Sequence, residues 1–439
     1  MKILIIAFDF PPVNRSAAYR PYSWAKYWAR DGHEVKVLTT DRSRSGIPKS
    51  SPSIFPDLDR FEVIEASHMP WSKASPPRGA AGEGGGSAGG GGFKDRVMFK
   101  TKQSVRRVQQ WIGFGSLISP TLLWRRPAIR AAKRLFGRWQ PDVVVSTFGP
   151  AVSHLTAAAL RKRFQFFWVG DYRDPWGRQL LYKVRSWVQP VERRLERKTM
   201  RACDLFTTVS DPLVQELREE FPGAEVLEIP NGFDPEEWEK VGESNRGKGD
   251  GVRLLYTGGL GLHGYDPEPL WQALALLKDD RAIVGRLTVA IGTLDSTILD
   301  AAVERWGIGE LVENLGYLDR SDILQAQRDA DGLVFLQWMD LSRDGVMSGK
   351  IFEYLASGTP ILSMCGPADR NPSRLVEESG FGIALGADPQ VIADKLREIA
   401  SGGEIRYQPD RSLVAKFDRQ NQARTLLAAV REQMGEGEG

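Results

Sequence analysis

Between Asp344 and Leu362 the chain reads DGVMSGKIFEYLASGTPIL. Gly345, Ser348 and Gly349 make a loop that runs into a helix whose first turns carry Lys350 and Glu353 on one face, at the i, i+3 spacing. Gly358 and Pro360 end that helix before a strand. Free backbone N–H groups at a helix start, the helix dipole and the Lys350 ammonium together make a site for an anion such as a diphosphate. Glu353 then accepts hydrogen bonds from vicinal hydroxyls, the way an acid recognises the ribose of a nucleoside. The same Lys and Glu would also suit the solvated face of an ordinary amphipathic helix, and the stretch alone leaves both readings open.

Other chemistry-bearing residues are fewer. Asp171, Arg173 and Asp174, in FQFFWVGDYRD, sit just past a strand end, where they either border a cleft or pair as a buried Asp–Arg couple that orders the loop. His154 stands alone beside an apolar helix, where a satisfied structural role competes with a functional one. The four histidines, His33, His68, His154 and His263, are scattered without metal-ligand spacing, and no metal site is expected. Cys203 and Cys365 are too few for a disulfide framework and point to a reducing cytoplasm.

The elements that must position these groups alternate between two kinds. KILIIAFD is a buried strand, AAYRPYSWAKYWAR an amphipathic helix ended by Gly32, and EVKVLTT the next strand. PDVVVSTFGP, FQFFWVGDYRD and DLFTTVS continue the pattern, which means a parallel sheet. IPNGFD around Asn231 has the residues of a turn, and a second alternating set follows it: VRLLYTGG, GRLTVAIGT, LVENLGYL, DGLVFLQW, GTPILSM and GFGIAL. The expectation is an α/β chain of two Rossmann-like, doubly wound domains, residues 1–230 and 231–415, with a final helix in 416–439 packing back on the first. Ligands of such domains sit beyond the carboxyl ends of the strands, so a cleft between the two is the expected site. SPPRGAAGEGGGSAGGGG, within about 75–92, cannot bury anything and reads as a flexible insert.

Charge divides as the domains do. Residues 1–230 carry 37 Lys and Arg against 22 Asp and Glu, whereas 231–439 carry 22 against 34. No acid appears between Asp95 and Asp142, a stretch in which Trp111, Trp124 and Trp139 are interleaved with Arg and Lys. No run reaches the eighteen or so apolar residues that a bilayer span needs, and the opening apolar run is broken by Asp9 with no small-residue cleavage site after it, so it is read as a strand. The basic segment 96–139 fits an anionic membrane surface, with WRRPAIRAAKRLFGRW as its helix, unless Ile129, Leu135 and Phe136 of that helix belong to the core. No nucleic-acid motif accompanies the charge. The chain is therefore expected to be cytoplasmic and peripheral at the inner membrane face.

Five segments in order resemble family 4 of the retaining glycosyltransferases, which have the GT-B fold, and within it the branch serving capsule, O-antigen and exopolysaccharide synthesis. They are FDFPPVNRSAAYRPYSWAKYWARDGHEVKVLTT, WVGDYRDPW, TTVSDPL with IPNGFD, YTGGLGLHGYDPEPLWQAL and the stretch from Asp344. The resemblance covers nearly all of the chain except the glycine-rich insert. It implies that Lys350 contacts the diphosphate of a nucleotide-sugar donor and Glu353 its ribose. Gly258 and Gly259, with the loop Gly345, Val346, Met347, Ser348 and Gly349, would lie along the phosphates and the donor sugar. Asn14, Arg15 and Ser16 would face them from the first domain, and His154 would reach the sugar. The acceptor is implied to be a glycan or a polyprenyl-diphosphate-linked saccharide, and the reaction to need no obligatory metal, because the helix dipole and Lys350 carry the positive charge. Two positions depart from the family. Gly345 replaces a carboxylate eight positions before Glu353, and His263, Gly264 and Tyr265 stand where relatives often carry a basic pair. Two other readings use the same architecture: a sugar-nucleotide 2-epimerase, which releases the epimer without an acceptor, and a non-catalytic subunit of a polysaccharide-assembly complex.

Overall fold

Ile3, Leu4, Ile5 and Ile6 are all fully buried, as in a strand covered on both faces of a parallel sheet. The computed structural model describes residues 1–13, 15–42, 55–67, 116, 119–177, 187–246, 251–261, 266–337 and 347–435. The glycine-rich insert, the basic stretch from Arg96 to Gly115, Asn14, the segment His263 to Tyr265, Gly345 and Val346 lie outside the described residues. The chain divides into two units, Met1–Ile229 with Ala423–Gly439, and Pro230–Gln422.

In the first unit, β1 (Lys2–Ile6), β2 (Glu34–Thr40), β3 (Glu62–Ala66), β4 (Val143–Thr147), β5 (Phe167–Tyr172), β6 (Leu205–Thr208) and β7 (Val226–Glu228) form a parallel sheet in the order β3-β2-β1-β4-β5-β6-β7. The order reverses between β1 and β4, paired from Ile3 opposite Val143 to Ile6 opposite Ser146, and loops beyond such a reversal border a crevice. The two-residue period of a strand sends Ile3, Ile5, Val35, Val37, Val143 and Val145 to one face and Leu4, Ile6, Leu38 and Val144 to the other. The helices of this unit are α1 (Ser16–Arg30), α2 (Arg125–Phe136), α3 (Val152–Arg161), α4 (Gln189–Met200) and α5 (Asp211–Glu220). α1 covers the first face, together with Ala423, Leu426, Leu427 and Val430 of the C-terminal helix Arg419–Gln433. The Trp28 indole N–H donates to the Ala423 carbonyl at 2.8 Å and fixes that docking. Leu426 is fully buried there, so Leu426→Ala is expected to destabilise the full chain by about 2–5 kcal/mol. Denaturant titration checks this, and a loss under about 1 kcal/mol would mean that the helix is only loosely held.

The opposite face is filled by α2 and the helices after it. Trp124 is fully buried, its N–H donating to the Ala66 carbonyl at 3.0 Å, and Trp139 is also buried. This corrects the expectation that these tryptophans serve a membrane surface: with Leu135 and Phe136 they belong to the core, where large aromatic area is better removed from water.

In the second unit, β8 (Val252–Thr257), β9 (Leu287–Gly292), β10 (Val312–Gly316), β11 (Gly332–Leu336), β12 (Ile361–Met364) and β13 (Gly382–Gly386) run parallel in the order β10-β9-β8-β11-β12-β13, reversing between β8 and β11. Its helices are α6 (Pro235–Glu239), α7 (Glu268–Ala275), α8 (Thr297–Trp306), α9 (Arg320–Asp329), α10 (Gly349–Ser357), α11 (Ser373–Glu378), α12 (Pro389–Ala400) and α13 (Arg411–Ala415). The unit runs on to Gln422 rather than ending near 415, because the segment after α13 is tied back to the IPNGFD turn. Phe233 N–H donates to the Phe417 carbonyl at 3.0 Å, Arg419 N–H donates to the Phe233 carbonyl at 3.1 Å, and the Phe352 and Phe417 rings lie 4.8 Å apart. Gly232 is required by this approach, since a Cβ there would run into the Phe417 carbonyl oxygen.

Candidate active site

The second unit builds its candidate site at the reversal between β8 and β11. Ser348 caps α10, its hydroxyl accepting from the Lys350 N–H at 3.4 Å, and Gly358 ends the helix in the left-handed conformation. In the first turn of α10, Lys350 reaches back over the loop that follows β8. Its Nζ donates to the Tyr256 hydroxyl at 3.0 Å and sits 4.5 Å from that ring's centre, and the Tyr256 hydroxyl donates to the Gly259 carbonyl at 2.8 Å. Gly258, at φ +137°, leaves the space that the ammonium crosses, because a Cβ there would collide with Lys350 Nζ. Thus Gly258, Gly259 and Lys350 are one structure, with Tyr256 as the joint that sequence reasoning missed. Its only signal was a place in YTGG.

Burial lowers the pKa of Lys350 to about 8, with the nearby Glu353 acting against the shift. The ammonium is charged at neutral pH, and a bound diphosphate would raise its pKa again. Between the free and bound values, binding must take up a proton, so affinity for a nucleoside diphosphate should be level below about pH 8 and fall above it, approaching tenfold per pH unit. Calorimetry across that range, in buffers of different ionisation enthalpy, checks both the slope and the proton uptake; a pH-independent affinity would remove Lys350 from the site.

Glu353 Oε2 accepts from Arg320 Nη1 at 2.8 Å, and Arg320 in turn donates to Glu237 through Nη2 at 2.8 Å and Nε at 3.3 Å. Burial works against the Arg320 charge, and the two glutamates overcome it, holding its pKa well above the usual value. Arg419 joins this network; burial lowers its pKa while Glu237, Asp234 and Glu353 oppose the change. Arg320 holds the Glu353 carboxyl through Oε2. Arg320, Glu237 and Arg419 are distant in sequence from α10, and their charges looked like ordinary surface. Met347, just before the cap, accepts from the Asn231 side-chain amide at 3.4 Å through its carbonyl, which ties the IPNGFD turn to this loop.

In the first unit, Asp171 is fully buried at the end of β5. It accepts from Arg20 Nε at 3.1 Å and Nη2 at 2.9 Å, from Thr147 at 2.7 Å and from Thr207 at 2.8 Å. Its oxygens are fully engaged, so its chemistry is to pin α1, β4 and β6 to β5. Arg173 pairs with Asp174 at 2.6 Å and lies against Gly149, where a Cβ would stand 3.0 Å from Nη2. Burial opposes its charge, but Asp174, Asp171 and Asp9 raise its pKa on balance, and Nη1 is buried with no partner among the described residues. Arg15 pairs with Asp9 at 3.2 Å with its side chain half exposed, and Ser16 opens α1 exposed to solvent.

His154 is fully buried. Its Nδ1 lies 2.7 Å from the Ser146 hydroxyl, its ring stacks near Phe148 and Tyr172, and burial lowers its pKa to about 3. The ring is held neutral within an aromatic stack, and its buried Nε2 has no hydrogen-bond partner among the described residues.

Residues 88–237 match the model of Glycosyltransferase Family 4, a span that includes Asp171, Arg173 and Asp174 but not Lys350 or Glu353. No curated protein matches the chain. Solved structures do, over nearly their whole length. A glycosyltransferase from Rickettsia africae has a TM-score of 0.61 at 11% identity, covering 99% of this chain and 98% of that one. The lipopolysaccharide outer core galactosyltransferase WaaB has 0.59 at 13%, covering 98% and 99%. The UDP-GlcNAc 2-epimerase from Methanocaldococcus jannaschii has 0.54 at 11%, covering 98% and 100%. At these identities the likeness is one of fold, shared by transferases and epimerases alike. The matched segment, set in this pair of parallel sheets, makes the chain a glycosyltransferase of the GT-B fold.

Proposed function

We propose that the chain moves a sugar, with retention of anomeric configuration, from a nucleoside-diphosphate sugar to a glycan or polyprenyl-diphosphate-linked acceptor in cell-surface polysaccharide synthesis, on the cytoplasmic side of a membrane. The observation that carries the donor half is Lys350 Nζ, held across Gly258 beside the capped start of α10, with Glu353 one turn on and fixed by Arg320. Positive charge concentrated there favours departure of the diphosphate. The bond from the anomeric carbon to the diphosphate oxygen breaks, the bond to the acceptor oxygen forms on the same face, and the acceptor's proton passes to the departing phosphate oxygen. Lys350 and the α10 dipole supply the charge in this scheme, and turnover is expected to survive a chelator.

The test is a thermal-shift panel of UDP, GDP, dTDP, CMP and their sugars, followed by turnover of the stabilising donor with and without acceptor. Stabilisation by one nucleotide, lost in Glu353→Ala, supports the reading and names the base. Release of an epimerised donor in the absence of acceptor would favour the epimerase reading instead. A folded chain indifferent to every nucleotide would favour a non-catalytic subunit.

A further inference from the structure

On the sheet face covered by α2, α3, α4 and α5, the first three helices show cations to solvent and no acid, whereas α5 exposes Asp211 and Glu219 and its Glu220 pairs with Arg197 at 2.6 Å. α2 exposes Arg125, Arg126, Arg130 and Arg134, and α4 exposes Arg194, Arg197 and Lys198. The two acids of α4, Glu192 and Glu196, are turned inward and are 3% and 4% exposed, so they do not offset the charge at the surface. Folding does not explain the arrangement. Arg125 and Arg126 occupy the first turn of α2, which has no acid, and a helix dipole disfavours cations in that position.

Apolar side chains stand beside the cations. Leu123, immediately before α2, is 57% exposed, and Trp187 and Val191, at the start of α4, are 53% and 48% exposed. α2 leads into β4 and α4 into β6, so in a parallel sheet both helices return from the carboxyl edge, and their amino ends share that edge. The loops bearing Arg15, Arg173 and Asp174 leave the sheet at the same edge. A nucleic acid would use the cations but has no use for exposed Leu and Val. Cations flanking exposed aliphatic and indole groups match the headgroups and the upper acyl layer of an anionic bilayer.

We infer that this face docks the first unit on an anionic lipid surface, with α2 and α4 supplying the cations and Leu123, Trp187 and Val191 entering the headgroup layer. The surface thus differs from the tryptophan-interleaved segment expected from sequence, since it adds α4 and excludes Trp124 and Trp139. It stands independently of the transfer reaction, and Lys350→Ala should bind vesicles like the parent chain.

Co-sedimentation of the full chain with vesicles of phosphatidylcholine, alone or with about one quarter phosphatidylglycerol, tests it. Binding is expected only to the anionic vesicles and should weaken with salt. At about fivefold per cation near an anionic surface, R126Q/R130Q/R134Q and R194Q/R197Q/K198Q should each lower partitioning roughly 100-fold. L123S/V191S should reduce the binding that persists at high salt. All of these side chains are exposed, and unchanged melting of the variants keeps the comparison valid. No binding to anionic vesicles, or binding undiminished in both triple variants, would overturn the inference. Retention on a single-stranded oligonucleotide without vesicle binding would also overturn it, assigning the cations to another polyanion.

Discussion

Lys350→Ala is expected to weaken nucleoside-diphosphate binding by about 10- to 100-fold, the loss of one charge-assisted hydrogen bond worth about 1.5–3 kcal/mol. Its effect on stability should have the opposite sign. An ammonium whose pKa burial lowers to about 8 costs the folded state something at neutral pH, so the variant should melt no lower than the parent and Lys350→Met should melt higher. Gly258→Ala offers an independent route to the same binding loss. It places a Cβ where the lysine crosses, at a backbone φ of +137° that side chains rarely adopt, and it leaves the lysine itself in the chain. Calorimetric titration with the nucleotide that stabilises the parent separates the outcomes. Unchanged affinity in Lys350→Ala would mean that the ammonium serves only to hold Tyr256 and the glycine loop.

Asp171→Ala should have its large effect on stability instead. The change leaves the Arg20 guanidinium, whose side chain is 6% exposed, buried without its carboxylate and removes the acceptor of two threonine hydroxyls. Breaking a buried pair from one side costs about 3–5 kcal/mol, and at about 2–4 °C per kcal/mol for a unit of this size the melting point should fall by roughly 6–20 °C. Asp174→Asn is the contrast. Its side chain is 21% exposed and among the described residues pairs with Arg173 alone, so melting should move little, whereas KM for the acceptor should rise if this couple faces the acceptor. Equal melting of the parent and Asp171→Ala would show that the hydrogen bonds on Asp171 do not hold the sheet.

Local order sufficed for the parts of this protein that local forces decide. Unbroken apolar runs alternating with amphipathic helices called for two parallel sheets, and both sheets are present with reversed strand order at their centres. A serine cap, a lysine and a glutamate at helical spacing, and a closing glycine placed α10 and the two candidate side chains it carries. Each of these signals depends on residues within a few positions of one another, where hydrogen bonds and side-chain direction are set by the backbone alone. Tertiary structure decided which partners those groups meet. Tyr256 stands 94 residues from Lys350, Arg20 lies 151 from Asp171, and Arg320 lies 33 from Glu353. It also decided that His154, Trp124 and Trp139 lie in the core, although as sequence they looked equally suited to a site or a surface. These outcomes follow from strand order and from which side of each helix is withdrawn from water, and desolvation acts only once the chain has closed around a group.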